Sequence, residues 1–324
     1  MKVLVVVEHD RGELASASRE AMEVGRSLSG DGGLHALTIG AKADGLAGEL
    51  TALGSDVVHQ AHHDLLEDYG PEAWGEVVTQ AIATMDPTVV LAPGTDRGNE
   101  VLAQAAARLD APMVANCTSI TVGTDGRLEV TRVRWGGSLL EVATNEAPVH
   151  LATVAEHSVD GGPADPPGRG EVAAFEPTLD PSVGRSVVRD RVTRVAGITL
   201  ATAPVVVAGG RGVGSAEGFA PLEELAALLG GVVGCSRAVT NNGWRNHTDQ
   251  VGQTGTRIAP TVYLACGISG AIQHWVGAMA AKNIIAINTD PEANMVTKAG
   301  YAVIGDLHQV VPAISEEIKR RRGS

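Results

Sequence analysis

The chain has 324 residues, of which 44% are hydrophobic and only 3% are aromatic, and its formal net charge at pH 7 is −13. This length suits two domains better than one. The acidic balance argues against a general nucleic-acid binder, because affinity for phosphates depends on clustered Lys and Arg. The cores must be built from Val, Ala, Leu and Ile, a composition typical of buried parallel strands between helices.

Strand-like and helix-like segments alternate in the first part of the chain. The predicted strands are residues 2–8, 34–39, 56–59 and 88–92, and the predicted helices are residues 15–28, 43–53, 71–85 and 98–109. This order predicts a parallel, three-layer α/β sheet. Residues 120–122, 127–134 and 139–144 then follow with turn sequences between them, which favours antiparallel hairpins and a ribbon at the sheet edge.

Residues 158–181 are rich in Pro, Gly and Asp, and we expect a linker or surface arm without regular hydrogen bonding there. A second strand and helix alternation begins near Ala203. Its predicted helices are residues 216–229, 271–280, 292–298 and 307–322. We therefore predict an N-terminal α/β domain at residues 1–184, which includes the hairpin ribbon and the arm, and a C-terminal domain at residues 185–324, with the transition between residues 185 and 200.

Three cysteines, Cys117, Cys235 and Cys266, are far apart and form no Cys-x-x-Cys pair. They favour reduced thiols over a disulfide framework or a zinc site. The first strand is predicted to start directly after Met1, which leaves no room for a signal peptide. No apolar run approaches the roughly 20 residues of a membrane span. We expect a cytoplasmic location.

In the last third of the chain, five polar signatures each follow an apolar run that is typical of a buried strand. They are Gly209-Gly210-Arg211-Gly212, Ser236-Arg237, Gly267-Ile268-Ser269-Gly270, Asn288 and Asp306. Ligands of open parallel sheets bind outside the carboxyl ends of the strands. The five signatures are therefore expected to converge on one crevice, and they predict a large polyanionic or dinucleotide-like ligand.

The first signature combines glycines, which let the backbone approach a phosphate closely, with an Arg that adds a bidentate cation. An ordinary Gly-rich turn is the alternative interpretation. The run is neither the G-x-G-x-x-G fingerprint nor a Walker loop, which disfavours a standard nicotinamide dehydrogenase and a P-loop NTPase. A further run, residues 251–255 (Val-Gly-Gln-Thr-Gly), could border a planar heterocycle, with a polar turn as its alternative.

The motif order over residues 205–314 closely resembles the alpha subunit of electron transfer flavoproteins, the FixB-type family. The motifs are Gly-Gly-Arg-Gly, Gly-x-Ser-Arg, Val-Gly-Gln-Thr-Gly, Gly-Ile-Ser-Gly-Ala-Ile-Gln-His, Ala-Ile-Asn-x-Asp-Pro-Glu-Ala and Asp-Leu. The N-terminal half matches the family more loosely. The resemblance implies a doubly wound FAD-binding domain at the C-terminus, a non-catalytic α/β domain at the N-terminus, and a separate beta subunit as partner in a heterodimer.

Carried over by position, the resemblance implies a set of residues that line the FAD. They are Arg211, Ser236, Arg237, Val251, Gly252, Gln253, Thr254, Ser269, Gly270, Ala271, Ile272, Gln273, His274, Asn288, Asp306 and Leu307. Arg211 and Ser269 would serve the pyrophosphate and ribityl side. Asn288 and Asp306 would reach the adenosine part.

Near the flavin ring, the resemblance places the Thr254 hydroxyl close to N5, with Arg237 and His274 alongside. A guanidinium and an imidazole there should stabilise the negative charge that reduction puts on the ring. No Ser-His-Asp triad or paired carboxylates stand out in the sequence. The resemblance thus implies an electron carrier without its own substrate. It would take single electrons from a dehydrogenase, with the acyl-CoA type expected, and deliver them to a quinone reductase or another acceptor.

Four positions depart from the family pattern: Asn241, Asn246, Thr248 and Thr256. They bear on the flavin potential and the docking surface more than on FAD binding. Two other functions stay open, namely a nucleotide-dependent enzyme on the same architecture with an active N-terminal domain, and a flavin-free scaffold derived from the family. The histidines of residues 59–64 could bind a metal, although a solvated loop is the simpler interpretation.

Overall fold

The computed structural model describes residues 1–137, 139–189 and 198–323. The chain divides into two compact units, each a mostly parallel sheet flanked by helices. Of the described residues, the first unit holds 1–135 and 139–189, and the second holds 136–137 and 198–323. The transition expected between residues 185 and 200 includes residues 190–197, which lie outside the described residues. The domain boundary at residue 184 therefore stays a prediction.

The first unit begins with the alternation of strands and helices that the sequence predicts. Its elements are β1 (Val3–Val6), β2 (His9–Asp10), β3 (Glu13–Leu14), α1 (Ser16–Leu28), β4 (Leu34–Ile39), α2 (Ala47–Ala52), β5 (Val57–Ala61), α3 (Pro71–Met85), β6 (Val89–Pro93), α4 (Asp96–Leu109), β7 (Met113–Val122), β8 (Leu128–Arg134), β9 (Leu139–Asn145), β10 (His150–Val154) and β11 (Glu171–Phe175). The predicted helix at 43–53 is instead a 3-10 helix, Ala41–Leu46, followed by the short α2. Two glycines, Gly45 and Gly48, weaken the α-helix there.

The large sheet of this unit has the strand order β11-β5-β4-β1-β6-β10-β7-β8-β9. Its pairs are parallel from β11 to β7, whereas β8 pairs antiparallel with β7 and β9. The predicted hairpin ribbon at the sheet edge is thus confirmed. Val3 and Val5 belong to one core cluster and Leu4 and Val6 to another. Because successive strand residues face opposite sides, both faces of this sheet are covered.

Two strands of this sheet were not predicted. β10 inserts between β6 and β7, and β11 lies inside residues 158–181. The expectation that this stretch has no regular hydrogen bonding is wrong at residues 171–175, which pair in parallel with β5. These five residues contain neither Pro nor Gly, and they cover polar groups of β5 that would otherwise be exposed at a sheet edge.

The second unit is built on a fully parallel sheet. Its elements are β12 (Val205–Gly209), α5 (Ala220–Leu228), β13 (Val232–Cys235), α6 (Arg237–Asn241), β14 (Val262–Cys266), α7 (Ile272–Ala278), β15 (Asn283–Asn288), α8 (Asn294–Lys298), β16 (Tyr301–Ile304) and α9 (Leu307–Arg322). The strand order is β13-β12-β14-β15-β16. Val207 of β12 joins one core cluster, while Val206 and Ala208 join the other, so this sheet also packs on both faces.

The strands of the second sheet end nearly level with one another. Gly209, the last residue of β12, is in register with Cys235 of β13 and with Cys266 of β14. Asn288, the last residue of β15, is in register with Ile304 of β16. The loops that leave these five strands therefore start from one edge of the sheet, where ligands of such folds bind.

Candidate functional site

The loops after the strands of the second sheet enclose a groove with a cavity volume of about 360 Å³. Its lining residues are Arg211, Gly212, Ser236, Ala238, Gly267, Ile268, Ser269, Asn288, Thr289, Asp290, Ala293, Gly305, Asp306 and Leu307. Six of them are predicted site residues, namely Arg211, Ser236, Ser269, Asn288, Asp306 and Leu307. Each of the five strands contributes at least one of these six, so the structure brings the five signatures together.

Glycines bring two of these loops into contact. The N–H of Gly210 donates to the Cys266 carbonyl at 2.8 Å, and the N–H of Gly212 donates to the Gly267 carbonyl at 3.2 Å. A Cβ on Gly210 would lie 2.1 Å from the Gly267 carbonyl oxygen, so only glycine permits this approach. The contact leaves the Arg211 side chain exposed at the groove.

Two polar residues of the groove organise the loops that carry them. The Asn288 side chain donates to the Ile268 carbonyl at 3.1 Å and accepts from the N–H of Asp290 at 3.1 Å. Asp306 is the N-cap of α9, where one carboxylate oxygen accepts from the N–H of His308 at 2.9 Å. These bonds hold the loops after β15 and β16 in shape.

The remaining predicted site residues do not line the groove. They are Arg237, Val251, Gly252, Gln253, Thr254, Gly270, Ala271, Ile272, Gln273 and His274. All of them except Arg237 and Gly270 lie where the loop at residues 251–254 meets the start of α7. The N–H of Gln253 donates to the Gln273 carbonyl at 2.7 Å, which ties the loop to the helix. Gly270 connects this cluster to Ser269 in the groove, while Arg237 is exposed at the start of α6.

Gln250 supports the loop from behind and is 1% exposed. Its side-chain nitrogen donates to Thr254 Oγ1 at 3.0 Å, and its side-chain oxygen accepts from Thr240 Oγ1 at 2.8 Å. The Thr254 side chain itself is exposed. A buried amide thus links α6 to Thr254, one of the predicted flavin contacts.

His274 is buried, with 7% of its surface exposed, and its Nε2 lies 2.7 Å from the Tyr263 hydroxyl oxygen. Burial lowers the pKa of His274 to about 4, although the backbone of Val251 opposes that shift. The imidazole is therefore neutral at pH 7. Nδ1 makes no well-aligned hydrogen bond to any residue that the structure describes.

Sequence reasoning missed several residues of this region. Asp290 lies within a quoted motif, and Ala238, Thr289 and Gly305 directly adjoin predicted residues, so their chain position was an available signal. Gln250 and Tyr263 are different, because only their tertiary partners give them a role. A glutamine before the loop and a tyrosine in a buried strand have no distinctive pattern of their own.

Where β1 and β6 end, the carboxyl edge of the first sheet is filled by its own side chains, whereas a groove of about 660 Å³ lies after β4, β5 and β11. Thr95 donates to the Glu8 carboxylate. Asn99 donates to Asn116 Oδ1 at 3.2 Å and accepts from Thr153 Oγ1 at 2.7 Å. The cavity beside Glu8 has a volume of about 10 Å³, room for a single water at most. Residues 11 and 12 form the tight turn between β2 and β3, which pair antiparallel.

No group of three or more His, Cys, Asp or Glu side chains is arranged to hold a metal in residues 1–137, 139–189 and 198–323. Within residues 59–64, His62 Nε2 pairs with Asp44 at 2.8 Å. Burial raises the pKa of the Cys235 and Cys266 thiols to about 12, which makes them poor nucleophiles. In the same described part of the chain, no helix has the length and apolar character needed to cross a bilayer.

Comparison with known proteins gives the class to which this architecture belongs. The model of the electron transfer flavoprotein domain matches residues 3–180, and the model of the electron transfer flavoprotein FAD-binding domain matches residues 199–279. The chain is therefore built from the two domains of an electron transfer flavoprotein, and its cofactor is FAD.

Relatives identify the subunit. The chain is 36% identical to the electron transfer flavoprotein subunit alpha of Bacillus subtilis, over 98% of each chain. It is 36% identical to protein FixB of Bradyrhizobium diazoefficiens, over 98% of this chain and 89% of the relative. It is 35% identical to the subunit alpha of Mycobacterium tuberculosis, over 99% of each. The chain belongs to the electron transfer flavoprotein alpha subunit and FixB family, which confirms the resemblance seen in its motifs.

Proposed function

We propose that this chain binds FAD in the groove and in the adjoining cluster around His274, as one subunit of a heterodimeric electron carrier. The observation that carries the proposal is the convergence of six predicted residues on one groove, with the loop after every strand of the second sheet represented. Membership of the alpha subunit family implies a beta subunit as partner.

The side chains of the groove fit the charged and polar parts of FAD. Arg211 supplies an exposed guanidinium, which suits a pyrophosphate. Ser236 and Ser269 add hydroxyl groups on the same groove, and Asp306 and Asn288 add acceptors for ribose hydroxyls and the adenine edge. The cavity volume of about 360 Å³ falls in the usual range for ligand sites, with the ring assigned to the neighbouring cluster.

When bound, FAD supplies reversible one-electron chemistry, and the residues of this chain set the surroundings of its ring. The exposed hydroxyl of Thr254, held by Gln250, is available to a heteroatom of the ring. The guanidinium of Arg237 supplies a positive charge at the start of α6. A fixed cation and oriented hydrogen-bond donors would stabilise the negative charge that the flavin ring gains on reduction. No acid, base or nucleophile of this chain is needed for that.

In the proposed role, the heterodimer receives single electrons from a dehydrogenase of the acyl-CoA type and passes them to a quinone reductase or another acceptor. The cytoplasmic location remains part of the same prediction. Asn241, Asn246, Thr248 and Thr256 lie between or next to the two segments assigned to the ring, so they are the positions expected to adapt the potential and the docking surface to particular partners.

The test is co-expression of this chain with its beta subunit, followed by an absorption spectrum, a flavin-to-protein ratio and reduction by an acyl-CoA dehydrogenase with its substrate. We expect a yellow complex that accepts electrons from the dehydrogenase and has no turnover without a redox partner. A colourless complex would support the flavin-free scaffold instead. Turnover by this chain alone would support an independent enzyme.

A further inference from the structure

Tyr263 lies on β14, the middle strand of the second sheet, and none of its surface is exposed. The hydroxyl is its single polar side-chain atom, and it lies 2.7 Å from Nε2 of His274. The two rings also stack, with their centroids 6.2 Å apart. A tyrosine at the centre of an apolar core thus has one polar contact, and that contact is to a residue assigned to the cofactor.

The direction of this hydrogen bond follows from the chemistry of the phenol. Burial raises the pKa of Tyr263 well above its ordinary value, so the hydroxyl keeps its proton. Among the described residues, the hydroxyl has one hydrogen-bond partner, which is Nε2 of His274. If Nε2 carried a proton and donated to the tyrosine oxygen, the phenol proton would be left buried without an acceptor. The phenol therefore donates, and Nε2 accepts.

A neutral imidazole that accepts at Nε2 must carry its proton on Nδ1. The backbone of Val251 supports this, because it lies beside the ring and favours a proton on it. The Val251 backbone is a poorly aligned partner of the ring, because the buried Nδ1 makes no well-aligned hydrogen bond among the described residues. A ligand that accepts from Nδ1–H would complete the hydrogen bonding of this buried group.

We propose that Tyr263 is a positioning residue, which fixes His274 as a neutral imidazole with its proton on Nδ1 and thereby makes Nδ1–H the donor offered to the bound flavin. This inference rests on the proposed function, since it takes His274 to lie beside the cofactor. Negative charge on the reduced ring is then met by an oriented N–H dipole and not by an imidazolium. The phenol, which does not contact the cofactor, acts only through His274.

The direct test is long-range proton–nitrogen NMR at pH 7 on the FAD-loaded heterodimer, with this chain labelled with ¹⁵N-histidine. The signals of His274 are identified by their absence from the His274→Gln variant. We expect Nδ1 to be of the protonated type and Nε2 of the unprotonated type. A proton on Nε2, or on both nitrogens, overturns the proposal.

Tyr263→Phe keeps the ring and removes the hydroxyl. We expect the fixed tautomer pattern to be lost and the flavin midpoint potential to become less positive, with the flavin-to-protein ratio retained. Tyr301→Phe, at an exposed tyrosine on β16, is the matched control and should change none of these. A Tyr263→Phe spectrum with the wild-type tautomer pattern overturns the positioning role.

Two results separate this inference from the proposed function. If the purified heterodimer contains no FAD, the proposed function fails, and the same NMR experiment on the cofactor-free protein still decides the tautomer. If Tyr263→Phe does not fold, the wild-type spectrum alone still tests the predicted tautomer, and a proton on Nε2 overturns the proposal.

Discussion

The two sheets of this protein share one architecture but differ at their carboxyl edges. Where the central strands β1 and β6 of the first sheet end, polar side chains satisfy one another, as in the bonds of Thr95 to Glu8 and of Asn99 to Asn116, and about 10 Å³ of space remains. A separate groove of about 660 Å³ lies further along the same edge, after β4, β5 and β11. At the edge of the second sheet, glycines bring the loops together and about 360 Å³ remains. The central strands of the first sheet thus end at a filled edge, whereas the strands of the second sheet end at an open groove.

Each unit also holds a histidine whose pKa is lowered by burial, and the partners of the two histidines differ. His59 of the first sheet lies against His35, with Nε2 and Nδ1 2.9 Å apart, and burial lowers its pKa to about 4. His274 of α7 lies against Tyr263 of the second sheet and has a similarly lowered pKa. A phenol keeps its proton across the whole physiological range, whereas a second imidazole can itself become charged. Acid can therefore disrupt the first pair by protonating either of its two imidazoles.

The largest effect on this contrast is expected from Gly210→Ala, which breaks the loop contact at the open edge of the second sheet. The new Cβ would lie 2.1 Å from the Gly267 carbonyl oxygen, so the two loops must separate. We expect the free energy of unfolding to fall by about 1–3 kcal/mol and the flavin-to-protein ratio of the heterodimer to drop to near zero. Denaturant unfolding and absorbance measure both. Gly48→Ala, where no atom lies within 4 Å, is the control and should keep the flavin.

Removal of the cation at the open edge should have the next largest effect. Arg211→Ala is expected to weaken FAD binding by about 1.5–3 kcal/mol, a typical value for hydrogen bonds to charged groups, with little change in the unfolding midpoint because the side chain is exposed. Flavin fluorescence during dilution of the heterodimer reports the dissociation constant. Lys282→Ala removes an exposed cation elsewhere in the same unit. An equal loss of FAD from both variants would contradict the role of Arg211.

Acid should destabilise the first sheet through its histidine pair, His35 and His59. The folded-state pKa of His59 is lowered to about 4 from an unfolded value near 6.5, so its contribution is present above pH 6.5 and is lost as the pH falls towards 4. After allowance for partial exposure, we expect a loss of roughly 1–2 kcal/mol. Denaturant unfolding between pH 7 and pH 4.5 measures it. His59→Gln should flatten this dependence, while His63→Gln, at an exposed position, should not.

The smallest effect is expected from Arg237→Ala. This exposed cation at the start of α6 acts on the ring through solvent. Its loss should lower the flavin midpoint potential, by an amount that corresponds to about 1 kcal/mol or less in the free energy of reduction, and should leave the bound FAD in place. A redox titration of the heterodimer checks this, with Lys282→Ala again as control. A potential equal to that of the wild type would argue that Arg237 points away from the cofactor.

Local sequence signals predicted much of the fold. The bounds of α3 and α9 agree with the predicted helices because Pro71 and Asp306 mark their starts, and the strands of the second sheet follow from continuous apolar runs. β11 was missed because its pairing depends on the free edge of β5, more than a hundred residues earlier in the chain. No property of residues 171–175 alone indicates that edge.

The same distinction holds for the site. The groove residues could be predicted because each directly follows its strand, and parallel topology then brings them together. The link from Gln250 to Thr254 and the neutral state of His274 could not be predicted. They depend on which buried group each side chain meets and on how far water is excluded, and both properties arise only from packing.

A crystal structure of the FAD-loaded heterodimer would show directly where the cofactor binds. We expect the pyrophosphate beside Arg211 and Ser269 and the flavin ring beside Thr254 and His274, at the carboxyl edge of the second sheet. FAD bound away from these residues, with the groove filled only by solvent, would contradict this placement.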